Sequence, residues 1–156
     1  HPLSYVFKKE LLNSPVFGWA MGRLNMVHID RSKRAQARNK VAEQGVVLMD
    51  KGKWIILFPE GTRTERGSKG NYKSGATRLA CATNAYVIPI AVTSGRCWPR
   101  RSFWMIPGVI DVSIGETIYA EGRQPEELMD EIERWIETEM HRLDRDAYER
   151  AAALYQ

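Results

Sequence analysis

Trp54-Ile55-Ile56-Leu57-Phe58-Pro59-Glu60-Gly61-Thr62-Arg63 decides the fold class. Trp54 to Phe58 is an unbroken apolar run of strand length without the polar alternation of a one-sided sheet, the pattern of a strand covered on both faces. The polar, glycine-bearing turn after it falls where open α/β sheets place their ligands, beyond the carboxyl end of a strand. Upstream, Ser4 to Phe7 and Asn25 to Ile29 read as two further strands, separated by a helical region from Glu10 to Leu24 that is interrupted near Pro15. After Ser32, an N-cap residue type, a helix is expected to about Asp50, with Val41, Ala42, Gly45, Leu48 and Met49 on one face and Gly52 as its stop. Downstream, a helix is expected from Ser74 to Asn84, and then a strand from Tyr86 to Val92 in which Pro89 is awkward. Ile110 to Ile114 alternates like a last strand. Pro125, Glu126 and Glu127 open a long terminal helix with the apolar stripe Leu128, Ile132, Trp135, Ile136, Met140 and Leu143 facing the sheet. Strand and helix alternate throughout, so the expected class is α/β, with a mixed, largely parallel sheet flanked by helices in a single domain over residues 1–156.

The 156 residues suffice for one hydrophobic core. No run of about 18 apolar residues is present, so no bilayer-spanning helix is expected. Cys81 and Cys97 are too few for a disulfide scaffold and read as small, partly buried residues. His1-Pro2-Leu3 has neither an initiator Met nor a signal-peptide pattern, so the chain is expected to be a piece of a longer protein. Charge is unevenly placed: residues 1–114 carry 18 Lys/Arg against 7 Asp/Glu, and residues 115–156 carry 5 against 12. A basic body suits an anionic partner, which leaves nucleic acid, anionic lipid headgroups and a phosphorylated substrate open.

Within the turn, Gly61 permits close backbone approach, Thr62 adds a hydroxyl, and Arg63 offers a planar fork matched to phosphate oxygens. Glu60 is placed to orient that fork or to accept a substrate hydroxyl; the plainer reading is a turn carrying a surface ion pair. His28-Ile29-Asp30-Arg31-Ser32 repeats the design, and its helix starts with Lys33, Arg34 and Arg38. Positive charge there opposes the helix dipole at about 0.3–1 kcal/mol each, which a nearby anion would offset. Lys69 and Lys73-Ser74-Gly75 lead into the next helix, whose amides are expected to add to the same anion site. The loop from Cys97 to Pro107, with Trp98, Arg100, Arg101, Phe103 and Trp104, has two readings: contact with membrane headgroups, or aromatics tucked into the core. No nucleic-acid-binding motif accompanies it.

The run FPEGTR, preceded by HIDRS and followed by YKSGATRLA and VIPIAVTSG, resembles the bacterial 1-acylglycerol-3-phosphate O-acyltransferase family, also called lysophosphatidic acid acyltransferases. Three of that family's four sequence blocks occur in order, over essentially the whole chain. The resemblance implies acyl transfer from acyl-CoA or acyl-carrier protein to the sn-2 hydroxyl of lysophosphatidic acid, giving phosphatidic acid, with no cofactor beyond the thioester donor and no nucleic-acid partner. By the same resemblance Arg31 and Arg63 would bind the substrate phosphate, Glu60, Gly61 and Thr62 would shape the glycerol site with Lys73 close by, and Val87 to Ile90 would line the acyl-chain region. The work would take place on a membrane surface, at the cytoplasmic face of the bacterial inner membrane.

The first family block, HxxxxD, supplies the His that deprotonates the acceptor and the Asp that orients it. It is expected upstream of His1, so no catalytic His is assigned within this chain and the fragment is expected to be inactive. One literal match runs from His141 to Asp146; on a straight helix the two side chains would lie roughly 140° apart, and the pair is rejected. His28 reads as a sheet or rim histidine. The rivals are a non-catalytic module for anionic lipid or phosphate, an acyltransferase acting on another lysolipid, and a nucleotide-binding domain, which would lack its glycine-rich loop.

Overall fold

A computed structural model describes residues 2–8, 23, 27–29 and 43–154. Its elements in chain order are β1 (Leu3–Lys8), β2 (Val27–Ile29), a helix α1 over residues 43–50, β3 (Trp54–Ile56), α2 (Gly75–Ala82), β4 (Tyr86–Val87) and β5 (Ile90–Val92). A 3₁₀ turn, Ser94–Arg96, leads on to β6 (Val112–Ile114), β7 (Ile118–Tyr119), α3 (Pro125–Leu143) and α4 (Arg145–Ala153). The helical region read over residues 10–24, residue 23 excepted, lies outside the described residues, as do the helix start at Ser32 and the positions of Val41 and Ala42.

β1 is the centre of a parallel three-stranded sheet in the order β2-β1-β3. Phe7 pairs with His28 on one side, and Ser4 pairs with Ile55 on the other. Parallel neighbours require crossovers, and α1 lies on the one that brings the chain back into β3. It stops as its sequence indicates: Gly52 has φ +71°, and the amides of Gly52 and Lys53 reach back to the carbonyls of Met49 (2.8 Å) and Leu48 (3.1 Å).

The later strands make the sheet content mixed. β4 pairs with β7 and β5 with β6, both antiparallel. The single strand expected from Tyr86 to Val92 is two strands with different partners. Pro89 has no N–H to give a ladder and marks the change, while its carbonyl still accepts from the Gly115 amide at 2.9 Å. β3 is also shorter than its apolar run: Trp54 and Phe58 are exposed and Ile55 and Ile56 half-buried, so this run is not covered on both faces. β3 has β1 on one side only, an edge position among the described strands.

α3 supplies the core. Leu128 and Ile132 from its stripe are buried against Ala80 of α2 and Ala120 after β7, with Val87, Ile118 and Ile136 packed around them. Complete burial of a leucine contributes about 1.5–3 kcal/mol, so this small cluster is a large share of a marginal total. The terminal helix does not run on. Asp144 leaves the helical region (φ −128°, ψ 42°), ending α3 and preceding α4.

Candidate functional site

The turn after β3 is closed by the Gly61 amide donating to the Phe58 carbonyl at 3.0 Å, and the Lys73 amide donates to the Pro59 carbonyl at 3.0 Å. Gly61 sits at φ +68°, a conformation that side-chain-bearing residues rarely adopt. A Cβ added there would stand 3.1 Å from Lys73 Nζ, so the ammonium lies directly over the turn. Sequence-distant Lys73 is thus brought onto Gly61. Thr62, Arg63 and Lys73 are all exposed.

Glu60 and Arg63 point to different places. No ion pair joins them among the described residues, which removes the surface-ion-pair reading of the turn and the role of Glu60 as orienter of the Arg63 fork. The Arg63 guanidinium instead lies over the Trp98 ring, 5.0 Å from its centroid. This is a cation–π contact that places the guanidinium over an aromatic face. Glu60 folds inward against Gly70, in space that a side chain at position 70 would fill. Burial pushes the Glu60 carboxyl above its usual range, a hydrogen bond from Thr64 works the other way, and Glu137 adds repulsion.

Beneath Glu60 lies a second layer that the sequence did not single out. Tyr72 donates its phenol proton to Glu137 Oε1 at 2.8 Å, while Glu137 Oε2 is buried with no partner. Burial, then the bond to Glu137, pushes the Tyr72 phenol far up. The Tyr148 phenol rises for the same leading cause, with the Glu137 and Glu60 charges next. Both tyrosines therefore stay protonated donors around two carboxyl groups.

A third group pins the stretch that follows the turn. Arg66 Nε and Nη2 both donate to the Asp144 carboxylate at 2.7 Å, and Arg96 Nε adds a bond at 3.2 Å. Arg96 also donates to Asp111 and to the Leu143 carbonyl. Asp144 is 3% exposed, and its carboxyl is held below the usual range chiefly by the Arg66 bond.

Other expectations are placed less favourably. Arg31, with Lys33, Arg34 and Arg38, lies outside the described residues. Lys69 is ion-paired to Glu133 on α3 and is withdrawn from the turn. Ser74 occupies the N-cap of α2 without a side-chain cap bond. His141 and Asp146 lie on different helices, α3 and α4, so the straight helix assumed for them does not exist. The His141 ring rests on Tyr148, with centroids 3.8 Å apart, and no hydrogen bond to Asp146 forms. Cys81 and Cys97 are free thiols. In the loop after Cys97, Phe103 and Trp104 are 89% and 77% exposed, which excludes the reading with aromatics in the core.

Residues 1–93 match the sequence profile of the family described as Acyltransferase. The chain is 42% identical over 142 residues to a 1-acyl-sn-glycerol-3-phosphate acyltransferase of Pseudomonas aeruginosa, covering 89% of this chain and 55% of that protein. It is 32% identical over 141 residues to a chloroplastic 1-acyl-sn-glycerol-3-phosphate acyltransferase of Brassica napus, covering 88% and 40%. Among solved structures, the 1-acyl-sn-glycerophosphate (LPA) acyltransferase PlsC of Thermotoga maritima superposes with a TM-score of 0.71 at 26% identity, over 90% of this chain and 56% of that one. The chain spans about half the length of the curated relatives it matches.

Proposed function

The chain belongs to the acyltransferase family, and from that premise we propose that the protein moves a fatty acyl group from a thioester donor to the sn-2 hydroxyl of lysophosphatidic acid, giving phosphatidic acid. The observation that carries this reading is the turn after β3. An exposed Arg63 fork and an exposed Lys73 ammonium flank the left-handed Gly61, and neither cation is paired with a carboxylate among the described residues. Two unneutralised cations beside a glycine turn suit the phosphate of a phosphomonoester acceptor. An apolar surface suits its acyl chain: Ile90 pairs with Ile114 and Val92 with Val112, and all four side chains stand exposed. Acyl-CoA and acyl-carrier protein both deliver the required thioester.

In the reaction, the acceptor oxygen attacks the thioester carbonyl carbon, the C–S bond breaks, and the hydroxyl proton passes to a general base and on to the leaving thiolate. The family resemblance assigns that base to an HxxxxD block, and the one HxxxxD match within residues 1–156, His141 to Asp146, is divided between two helices. Residues 58–73 thus hold the acceptor while the base is supplied from elsewhere. Because the acceptor is an amphiphile, the work is done at a membrane surface, with the cytoplasmic face of the bacterial inner membrane as the proposed place. No helix among the described residues is long and apolar enough to cross a membrane.

Calorimetric binding of lysophosphatidic acid tests the assignment. Arg63→Ala removes charge-assisted bonds of about 1.5–3 kcal/mol and should weaken binding roughly 10–150-fold, with Arg63→Lys recovering part of it. A monoacylglycerol lacking the phosphate should bind wild type and variant alike. Equal losses for both ligands would make Arg63 structural and end the phosphate assignment.

A further inference from the structure

The loop that leaves the 3₁₀ turn is closed at its neck by the Ile106 amide donating to the Cys97 carbonyl at 2.7 Å. Ser102 braces the inside: its Oγ donates to the Trp104 carbonyl at 2.8 Å and accepts from the Trp104 amide at 3.1 Å. The Ser102 amide donates to the Pro99 carbonyl at 3.1 Å, and the Ser102 carbonyl accepts from Trp98 Nε1 at 3.0 Å. Arg101 turns the chain at φ 62°, which non-glycine residues seldom adopt. The tip is therefore a shaped excursion, and what it displays is four consecutive large apolar side chains. Phe103, Trp104, Met105 and Ile106 are 89%, 77%, 72% and 53% exposed, with Phe103 set edge-on to Trp104 at 5.9 Å.

Resting on the acyltransferase reading, we propose that residues 97–106 form an interfacial wedge in which Phe103, Trp104, Met105 and Ile106 enter the lipid surface while Trp98 stays with the protein and holds Arg63 ready for the acceptor phosphate. The contacts run in one line: Trp104 to Ser102, Ser102 to Trp98, and Trp98 to Arg63. One end of this line suits hydrocarbon and the other a phosphate, the two parts of a lysophospholipid. A lipid surface is the occupant because the apolar tip is flanked by Arg100 and Arg101 within a strongly basic segment, the combination that anionic interfaces attract. An acidic carrier protein would be drawn to the same charge, but it would not need four adjacent apolar residues held out into water. The two tryptophans of the loop thus have different roles, Trp104 at the tip and Trp98 against Arg63.

The test uses this chain with vesicles of equal parts phosphatidylglycerol and phosphatidylcholine, and sn-glycerol 3-phosphate as a soluble headgroup probe. The pair Phe103→Ser with Trp104→Ser should lower vesicle partitioning about tenfold or more and leave glycerol phosphate binding unchanged. Met105→Ser with Ile106→Ser should act in the same direction. Trp98→Leu should do the reverse, with partitioning within about twofold of wild type and glycerol phosphate binding weakened about two- to fivefold. Because the tip side chains touch little of the protein, thermal midpoints should match wild type; the second tip pair serves if the first fails to fold. Vesicle binding unaffected by either tip pair overturns the wedge. Glycerol phosphate binding unaffected by Trp98→Leu overturns the hold on Arg63. Loss of carrier-protein binding in the tip variants, with vesicle binding intact, would assign the loop to a protein and overturn the lipid surface. An intact wedge on a vesicle-bound protein that does not discriminate lysophosphatidic acid from monoacylglycerol would defeat the acyltransferase reading and not this one.

Discussion

Replacing Asp144 by Ala removes the one acceptor shared by Arg66 and Arg96. In the wild type this carboxylate is 3% exposed and takes three guanidinium bonds, two of them at 2.7 Å from Arg66. Breaking a buried pair costs about 3–5 kcal/mol, because a charge is left without compensation. Here the survivors are the arginines, with side chains 37% and 27% exposed, so water recovers part of the loss and about 2–4 kcal/mol is expected. For a chain of this length each kcal/mol moves the midpoint by roughly 2–4 °C, so calorimetry at neutral pH should show a fall of about 4–16 °C. Asp144→Asn keeps the shape and one acceptor oxygen and should fall between wild type and Ala. Acid supplies the second arm. The folded-state pKa of Asp144 lies below its ordinary value of 3.8, so its stabilisation is complete above that value and is lost as pH falls through the folded value. The gap between wild type and Asp144→Asn should therefore close below about pH 4. An Asn variant as stable as wild type at neutral pH, or a gap that persists in acid, would refute the network as a stabilising latch.

Two further outcomes follow from the same geometry. Glu60 has a raised folded pKa, so its contribution is present below the ordinary value of 4.5 and is lost as pH rises through the folded value; Glu60→Gln escapes that loss. Urea unfolding should show the Gln variant gaining on wild type as pH rises above 4.5, and parallel profiles would mean that the carboxyl is not held in a desolvated pocket. His141→Ala should remove only a ring contact with Tyr148, worth about 0.5–1.5 kcal/mol, and should leave acyl transfer by a complete enzyme unchanged. Transfer by residues 1–156 alone that disappears in His141→Ala would show that this histidine is the base.

The elements most legible in the sequence are those whose signals are local. Gly52 after α1, Pro125 at the start of α3, and the Leu128 and Ile132 stripe are each decided within a turn or two of chain, and all stand where the residues indicate. Strand limits depended on partners, which no short window contains. Tyr86 to Val92 reads as one apolar run, yet β4 and β5 pair with different strands, and the chain changes partner at the residue that has no amide proton to give. β7, only Ile118–Tyr119, is a strand because Val87 and Tyr86 lie opposite it, not because its own residues announce one. The end of α3 was obscure for a similar reason: Asp144 breaks the helix where Arg66 and Arg96, 78 and 48 residues away, meet its carboxylate.

The same distinction divides the candidate site. The sequence named the residues of the turn because they are adjacent, but adjacency misassigned their relations. Glu60 and Arg63 read as partners three positions apart; in the fold one is turned into a pocket with Thr64 and Gly70, and the other lies on an aromatic ring from a loop read separately. A half-buried carboxyl turned towards Gly70 does not clamp an exposed guanidinium, and a guanidinium held over an indole by a cation–π contact is not neutralised by it and can still take an anionic acceptor. The turn therefore keeps its cations available because its own acid has been removed to a second layer, with Tyr72 and Glu137 built around it. Had Glu60 remained on the surface beside Arg63 and Lys73, it would have competed with any incoming phosphate for both. Turning it inward costs desolvation, visible in its raised pKa, and leaves Arg63 and Lys73 without an ion pair to the acid of their own turn.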